Sequence, residues 1–238
     1  MVGLGPGNPL DRTRRAEQAI LRSSIVAGYT PYVKSIEDLI EGKEIISTGM
    51  TREVDRCREA LHRARNGKIV SLVSSGDPGV YGMAGLVIEL CASENIDVDI
   101  EIIPGVSAAN SAAARFGAPL MCDFATLSLS DLLVPWDTIE KRLEAVAAAD
   151  LVAAIYNPRS GKRVEHLEKA ATIFRKYRPS TTPVGIATAV STPDEHIEIS
   201  DLGSFTEREI NMRSIVVVGN NSACLIADWI VVPRGYSL

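Results

Sequence analysis

Short apolar runs alternate with amphipathic stretches along the whole chain, and this alternation constrains the fold more than any other feature. The apolar runs are rich in β-branched residues, which is typical of buried strands. The amphipathic stretches place apolar side chains at helical spacing, as Val164, Leu167 and Phe174 do in the stretch 163–177. Repeated alternation of this kind predicts an α/β fold with open, mostly parallel sheets and helices on both faces.

The predicted elements cover most of the chain. Strands are expected at Val2–Leu4, Ile25–Ala27, Glu44–Ser47, Ile69–Val73, Val98–Ile103, Phe124–Leu129, Leu151–Tyr156, Val184–Ala187, Ile197–Ser200, Ile215–Val218 and Trp229–Val232. Helices are expected at Thr13–Ser23, Arg52–Ala64, Gly82–Ser93, Ala108–Phe116, Thr138–Ala148 and Arg163–Tyr177.

A domain boundary is expected near residue 118, where the helical pattern of "RFGAPLMCDFATLSLSD" gives way to Gly, Pro and then a strand. We therefore predict two α/β domains, 1–118 and 119–238. Because ligands of open α/β sheets bind beyond the carboxyl ends of the strands, a ligand cleft between the two domains is expected.

Glycine-rich segments follow three of the predicted strands: "GLGPG" at 3–7, "SSGDPG" at 74–79 and "IPGVSAA" at 103–109. Glycine has no Cβ, so a ligand can lie against the backbone and be bound by its N–H and C=O groups. Three such loops at equivalent places in the fold predict a binding site made largely of main chain.

Several other classes of site are disfavoured. "GLGPGN" does not fit G-x-G-x-x-G, and no G-x-x-x-x-G-K-[ST] occurs, so neither a dinucleotide site nor a P-loop is predicted. The net charge of -5 and pI near 5.3 give no reason to expect nucleic acid or an anionic membrane as a partner. The widely spaced cysteines have no histidine at ligand spacing, which predicts reduced thiols in a cytosolic protein and no metal site.

The glycine loops, together with "IYNPRS" and the late "SIVVVG", resemble the class III (tetrapyrrole) S-adenosylmethionine methyltransferases, with matching spacing from residue 2 to about 220. The segments "TGMTREVDRCREAL", "GDPGVYGMAG" and "YNPRSGKR" are most similar to the branch of that family that acts on precorrin-3B or cobalt-factor III. The resemblance implies methyl transfer to C-17 with ring contraction in cobalamin biosynthesis. It also implies a cytoplasmic homodimer, with cobalt present only as part of the substrate.

The resemblance also implies which residues bind S-adenosylmethionine and release S-adenosylhomocysteine. The C-terminal domain would complete a cofactor site begun by the N-terminal one. The implied contacts are Pro6, Ser75, Gly76, Asp77, Tyr81, Val106, Ser107, Ala108, Tyr156, Asn157, Ala187, Thr188, Ala189, Ser214 and Ile215. For Asp77, capping of the following turn is an equal alternative, and for Tyr156 a place in the core is a second one.

The N-terminal domain is expected to lie on the substrate side. A corrin precursor carries many carboxylates, which arginine binds through its planar fork. The expected substrate contacts are Gly5, Gly7, Arg12, Thr13, Arg15 and Arg56. Thr13 is also predicted to cap a helix.

Methyl transfer from a sulfonium needs positioning more than a nucleophilic side chain, whereas ring contraction needs proton transfer. Tyr29, Arg52, Glu53 and Asp55 are therefore the candidate catalytic residues. The three histidines are interpreted as surface or packing residues. The alternative functions are a related methyltransferase that acts at another macrocycle carbon, on ribosomal RNA or on diphthine, or a non-catalytic tetrapyrrole-binding subunit.

Overall fold

The computed structural model describes residues 1–161 and 163–237. They form two compact units, Met1–Ser107 and a second that begins at Ala108. The boundary therefore lies about ten residues before the position expected from the sequence. Within the described part of the chain, no helix is both long enough and apolar enough to cross a membrane.

The first unit is a parallel four-stranded sheet with helices along the chain between its strands. Its elements are β1 (Val2–Gly3), α1 (Arg14–Arg22), β2 (Ile25–Tyr29), α2 (Thr30–Lys34), β3 (Glu44–Thr48), α3 (Glu53–Arg65), β4 (Val70–Ser74) and α4 (Ala84–Glu94). The strand order is β1-β4-β2-β3, and every pairing is parallel. This unit has the α/β architecture and the strand direction that the sequence predicts.

Local signals set the helix starts in the first unit. Thr13 caps α1, because its hydroxyl oxygen accepts a hydrogen bond from the backbone N–H of Ala16 at 3.1 Å. The buried face of α1, with Ala16 and Ile20, packs against Val2 and Val26 of the sheet. The N-cap predicted at Thr13 is therefore confirmed.

The predicted strand Val98–Ile103 is wrong apart from its last residue. Ile103 forms a single parallel bridge to Val2, and its N–H donates to the carbonyl of Met1 at 2.9 Å. The Met1 amino group donates to the carbonyl of Glu101 at 2.8 Å, and the N–H of Gly3 donates to the carbonyl of Ile103 at 2.9 Å. Pairing with the start of the chain is therefore made by residues 101–103, and residues 98–100 lie outside the strands.

The second unit is built on a five-stranded mixed sheet. Its elements are α5 (Ala108–Phe116), β5 (Gly117–Ala118), β6 (Phe124–Ser128), α6 (Trp136–Ala148), β7 (Val152–Tyr156), α7 (His166–Arg175), β8 (Pro183–Thr188), β9 (His196–Asp201), β10 (Ser214–Val218), β11 (Cys224–Ile226) and β12 (Trp229–Val231). The large sheet has the order β6-β7-β10-β8-β9, and a small sheet has the order β11-β12-β5.

The α/β class is confirmed in this unit too, but the mostly parallel pairing is not found there. In its five-stranded sheet, as far as the structure describes the chain, β6 and β7 are the one parallel pair, whereas β10 is antiparallel to both β7 and β8, and β8 is antiparallel to β9. The segment 189–195 between β8 and β9 is too short for a crossover helix, which a parallel pair requires.

Helix α5 belongs to the second unit because of its packing. Ala109, Ala112 and Phe116 are buried in one core with residues of β7, β8 and β10. The ring of Phe116 lies over Gly185, where a Cβ would come within 2.5 Å of it. A side chain at position 185 would therefore push the helix from the sheet.

Candidate functional site

The glycine loops of the first unit lie at the carboxyl edge of its sheet and are joined to one another. Gly5 and Gly76 exchange two backbone hydrogen bonds, from Gly5 N to Gly76 O at 3.1 Å and from Gly76 N to Gly5 O at 2.7 Å. Both residues have positive φ, 75° and 61°, which favours glycine. The first two loops therefore form a fixed pair.

The carboxylate of Asp77 joins the third loop to the second. Its Oδ1 accepts a hydrogen bond from the N–H of Gly79 at 2.7 Å, and its Oδ2 accepts one from the N–H of Gly105 at 3.1 Å. Both oxygens of Asp77 therefore hold the loops. This is the capping role that the sequence leaves open as an alternative to cofactor contact.

Glycine is required at positions 3 and 105 because backbone meets backbone there. A Cβ on Gly105 would lie 2.1 Å from the carbonyl oxygen of Gly76, and one on Gly3 would lie 2.6 Å from the nitrogen of Gly105. At these two positions glycine is needed because neighbouring loops are in contact, and not because a ligand approaches the backbone, as the sequence suggested.

Two arginines after the first loop, Arg12 and Arg15, have carboxylate partners within the same chain. Arg12, whose side chain is 3% exposed, donates to both oxygens of Asp38 at 3.1 and 2.7 Å. Those hydrogen bonds hold the pKa of Asp38 below its usual value. Arg15 donates to Glu101 at 2.5 Å. A substrate carboxylate would have to compete with these partners. No motif in the sequence marks Asp38.

A buried guanidinium lies beyond the ends of β3 and β4. Arg56 is 2% exposed, and it donates to Thr48 Oγ1 at 2.5 Å, to the carbonyl of Gly49 at 3.4 Å and to the sulfur of Met83 at 3.4 Å. Each of these acceptors is uncharged, and the Nε of Arg56 is buried without a hydrogen bond. A buried cation among neutral partners favours a nearby anion.

Two tyrosines accompany this guanidinium at the same edge. Tyr29, at the end of β2, lies edge-on to Tyr32 with 5.2 Å between the ring centroids. Burial raises the pKa of Tyr32, and the hydrogen bond with the Ser75 side chain and the charge of Arg56 oppose that rise. Tyr32 was not predicted, although its spacing of three residues from Tyr29 was a usable signal.

The other candidate catalytic residues surround the start of α3 on the surface. Arg52 Nε donates to Asp55 Oδ2 at 2.5 Å, so these two exposed side chains form an ion pair with each other. The carboxylate of Glu53 accepts from the N–H of Thr51 at 3.2 Å. The hydrogen bonds of both carboxylates are local to the start of α3, and their catalytic role stays a prediction.

Other residues predicted in the first unit also lie in its loops. Pro6 stands between Gly5 and Gly7, and the φ of Gly7 is 153°. Tyr81 follows the second loop with a φ of 53°, and its side chain is half exposed. Val106 is partly exposed just before the second unit begins.

In the second unit, Tyr156 and Asn157 stand at the end of β7. The hydroxyl of Tyr156 accepts a hydrogen bond from the N–H of Ala109 at 3.0 Å, in the first turn of the helix that Ala108 begins. Asn157 has a φ of 51°, and its amide donates to Ser128 Oγ at 3.0 Å. Tyr156 therefore packs against the core and also holds the first turn of α5 through its hydroxyl.

The last residue of β8 lies beside the first residue of β10. Thr188 is opposite Ser214 in the ladder, and their hydroxyls are 2.6 Å apart. Ala189, with a φ of 51°, donates its N–H to the carbonyl of Arg213 at 3.0 Å. The next pair, Ala187 and Ile215, is buried in the core. Their side chains face the core, so the predicted cofactor contacts at Ala187 and Ile215 would be made by main-chain groups and stay a prediction.

A cavity of about 830 Å³ lies elsewhere in the first unit. It is lined by the start of β4, the last turns of α3 and the segment 97–103, on the amino side of the sheet. No predicted site residue lines it. Across residues 1–161 and 163–237, no group of three or more His, Cys, Asp or Glu side chains is placed to hold a metal ion.

The comparisons with known proteins define the class of this chain. Residues 1–206 match the family described as Tetrapyrrole (Corrin/Porphyrin) Methylases. The chain belongs to this family, and the resemblance identified from its loops is confirmed. It is a methyltransferase of the tetrapyrrole type.

Two curated relatives and one solved structure are similar over nearly the whole chain. A "Cobalt-factor III methyltransferase" of Priestia megaterium is 46% identical over 99% of this chain, which spans only 44% of that longer protein. A "Probable cobalt-factor III C(17)-methyltransferase" of Salmonella typhimurium is 41% identical over 100% of this chain and 99% of its own length. The crystal structure of the methyltransferase CobJ is 37% identical, with a TM-score of 0.93 and 98% of each chain covered.

Proposed function

We propose that this protein transfers a methyl group from S-adenosylmethionine to C-17 of cobalt-factor III or precorrin-3B and contracts the macrocycle, in cobalamin biosynthesis. The observation that carries the proposal is the 41% identity to the Salmonella relative, which extends over 99% of that protein's length. Cobalt-factor III is the first substrate to test, because both curated relatives described above carry that name. Cobalt would enter only with the substrate.

The backbone of the predicted cofactor residues suits a ligand-binding role. Tyr81, Asn157 and Ala189 all have φ between 51° and 53°, a region that residues other than glycine rarely adopt. Such strain tends to occur at ligand-binding positions, where the surrounding structure maintains it. Bound S-adenosylmethionine would supply an electrophilic methyl group on a sulfonium.

Each unit has its own proposed cofactor contacts. In the first unit they are the loop residues Pro6, Ser75, Gly76, Tyr81, Val106 and Ser107. In the second unit they are Ala108, Tyr156, Asn157, Ala187, Thr188, Ala189, Ser214 and Ile215. These residues would bind and orient the donor with main-chain groups and neutral side chains, so that methyl transfer depends on positioning.

For the substrate, the buried cation Arg56 is the contact that the structure favours most. Its hydrogen-bond acceptors are all neutral, so a substrate carboxylate near Tyr32 and Ser75 would give it an anionic partner that those hydrogen bonds do not supply. Arg12 and Arg15 already have internal carboxylate partners and would contribute less. Tyr29, Arg52, Glu53 and Asp55 stay our candidates for the proton transfer in ring contraction.

The direct test is incubation with methyl-labelled S-adenosylmethionine and either cobalt-factor III or precorrin-3B, followed by mass spectrometry and NMR. We expect one added methyl group at C-17 and an absorption spectrum of a contracted ring. A label at another carbon would identify a related methyltransferase instead. Binding of a precursor without methyl transfer would identify a non-catalytic subunit.

A matched pair of variants tests the cofactor contacts. Asn157→Gly keeps a backbone compatible with positive φ and removes the amide, whereas Asn95→Gly makes the same change at the end of α4, where φ is 50°. Calorimetry with S-adenosylhomocysteine should show at least fivefold weaker binding for Asn157→Gly and unchanged binding for Asn95→Gly. Equal affinities would remove Asn157 from the proposed site.

We also propose that the protein acts as a cytoplasmic homodimer, as the family resemblance implies. Sedimentation velocity at micromolar concentration should give twice the mass of one chain. Fractionation of the producing cells should recover the protein with cytosolic markers. A monomer, or recovery with membranes, would contradict the respective part of this proposal.

A further inference from the structure

The loop 129–135, between β6 and α6, exposes two adjacent leucines. Leu132 is 76% exposed and Leu133 is 91% exposed, whereas Leu129 at the base of the same loop is fully buried. Single exposed leucines are common on protein surfaces, but two at the tip of one loop form a small apolar patch. We call these two residues the leucine tip.

The loop that carries the leucine tip is fixed at its base. The N–H of Leu129 donates to the carbonyl of Tyr156 at 3.1 Å, and the N–H of Ser130 donates to Ser128 Oγ at 3.2 Å. The same Ser128 hydroxyl accepts from the amide of Asn157. The loop is therefore attached to the end of β7, where two proposed cofactor residues lie.

A second attachment lies beside the tip itself. Asp131 Oδ2 is 2.9 Å from His166 Nε2, and the His166 ring is edge-on to Trp136 with 4.6 Å between the centroids. His166 begins α7 and Trp136 begins α6, so this contact connects the loop with two helix starts. We call Asp131 and His166 the clasp. The hydrogen bond from His166 holds the pKa of Asp131 below its usual value.

Cations surround the clasp. Arg163 Nε is 4.0 Å from Asp131 Oδ1, and its Nη1 donates to the carbonyl of Asn157 at 3.5 Å. The ammonium of Lys169 lies 5.7 Å from the Trp136 ring centroid. Both cations have carboxylate partners, since Lys169 Nζ also lies 3.2 Å from Glu165 Oε2. The exposed leucines are therefore the feature of this loop that favours a ligand with a large apolar framework, such as a tetrapyrrole.

We propose that the leucine tip contacts the apolar face of the tetrapyrrole substrate, and that Asp131 and His166 are positioning residues that hold the tip in place. This inference rests on the proposed function and adds a recognition element to it. The loop follows the carboxyl end of β6, the edge at which open α/β sheets bind their ligands. A fixed apolar tip requires no ordering of the loop when the ligand binds.

The first experiment measures kinetics of the full chain with Leu132→Ser and Leu133→Ser combined. The KM for the corrin precursor should rise at least tenfold, while the kcat and the KM for S-adenosylmethionine change less than twofold. The control combines Leu225→Ser and Ile226→Ser, an adjacent apolar pair on β11 that is about half exposed. Its precursor KM should match the wild type.

An unchanged precursor KM in the leucine-tip variant would overturn the proposal. A change in sedimentation mass with an unchanged KM would also overturn it, because the tip would then bind a second copy of the chain. Absence of methylated product with the wild-type protein would instead reject the proposed function, so the two failures are distinguishable.

The second experiment tests the clasp in a Trp229→Phe background, where Trp136 is the one remaining tryptophan of the sequence. Asp131→Ala should change the Trp136 emission and raise the precursor KM at least fivefold. Asp131→Asn keeps an acceptor oxygen, so its Trp136 emission and its precursor KM should both be close to the wild-type values. An emission change in Asp131→Ala with an unchanged KM would show that the clasp serves stability alone and would overturn its positioning role.

Discussion

The loops at the carboxyl ends of the strands are held together differently in the two units. In the first unit, the first two loops are joined through main chain, since Gly5 and Gly76 exchange hydrogen bonds, and the Asp77 side chain binds the N–H groups of Gly79 and Gly105. In the second unit, neutral side chains add to the main-chain hydrogen bonds, and the Tyr156 hydroxyl accepts one from the first turn of α5. Main-chain contact leaves no room for a Cβ, whereas side-chain contact can be changed one group at a time.

The difference predicts where the chain tolerates few substitutions. Close backbone approach in the first unit requires glycine at positions 3 and 105, since any side chain would overlap a neighbouring loop. In the second unit the residues that join the strand ends are Tyr, Asn, Thr and Ser, each of which contributes one or two hydrogen bonds. The comparison predicts larger stability losses in the first unit than in the second.

The largest effect is expected for Gly105→Ala. Its Cβ would lie 2.1 Å from the Gly76 carbonyl oxygen, so the loops would have to separate. We expect a loss of about 3 kcal/mol in the free energy of unfolding, measured by urea unfolding followed by far-UV circular dichroism. Gly85→Ala, in α4 with open space around it, should be neutral or slightly stabilising. Equal stability of the two variants would contradict the loop packing.

A smaller loss is expected for Asp77→Ala, which removes two hydrogen bonds to a charged acceptor. The free energy of unfolding should fall by about 2 kcal/mol. Asp77→Asn keeps one acceptor oxygen and should lie between the wild type and Asp77→Ala. Faster amide hydrogen exchange at Gly79 and Gly105 would check the local cause. Wild-type exchange at both amides would show that Asp77 does not hold them.

The smallest effect is expected for Tyr156→Phe in the second unit. The change removes one neutral hydrogen bond to the N–H of Ala109 and keeps the ring. We expect a loss of about 1 kcal/mol in the same urea experiment. If this variant lost as much stability as Gly105→Ala, the distinction between backbone-held and side-chain-held loops would fail.

Prediction from the sequence succeeded where the signal was local. The N-cap at Thr13 and the alternation of strands and helices follow from side chains within a few residues of each other. The Asp131–His166 contact was missed, because its two residues are separated by 35 positions and match no spacing rule. The internal partner of Arg12 was missed for the same reason, since Asp38 follows a different helix.

The sequence by itself determined the α/β class, the family and the positions of the glycine loops, because periodicity and glycine content are properties of short segments. Tertiary structure alone decided the mixed pairing of the second sheet, the hydrogen bonds of Asp77 and the burial of Arg56. Strand direction, burial and hydrogen-bond partners arise between segments far apart in the chain, and no short stretch encodes them.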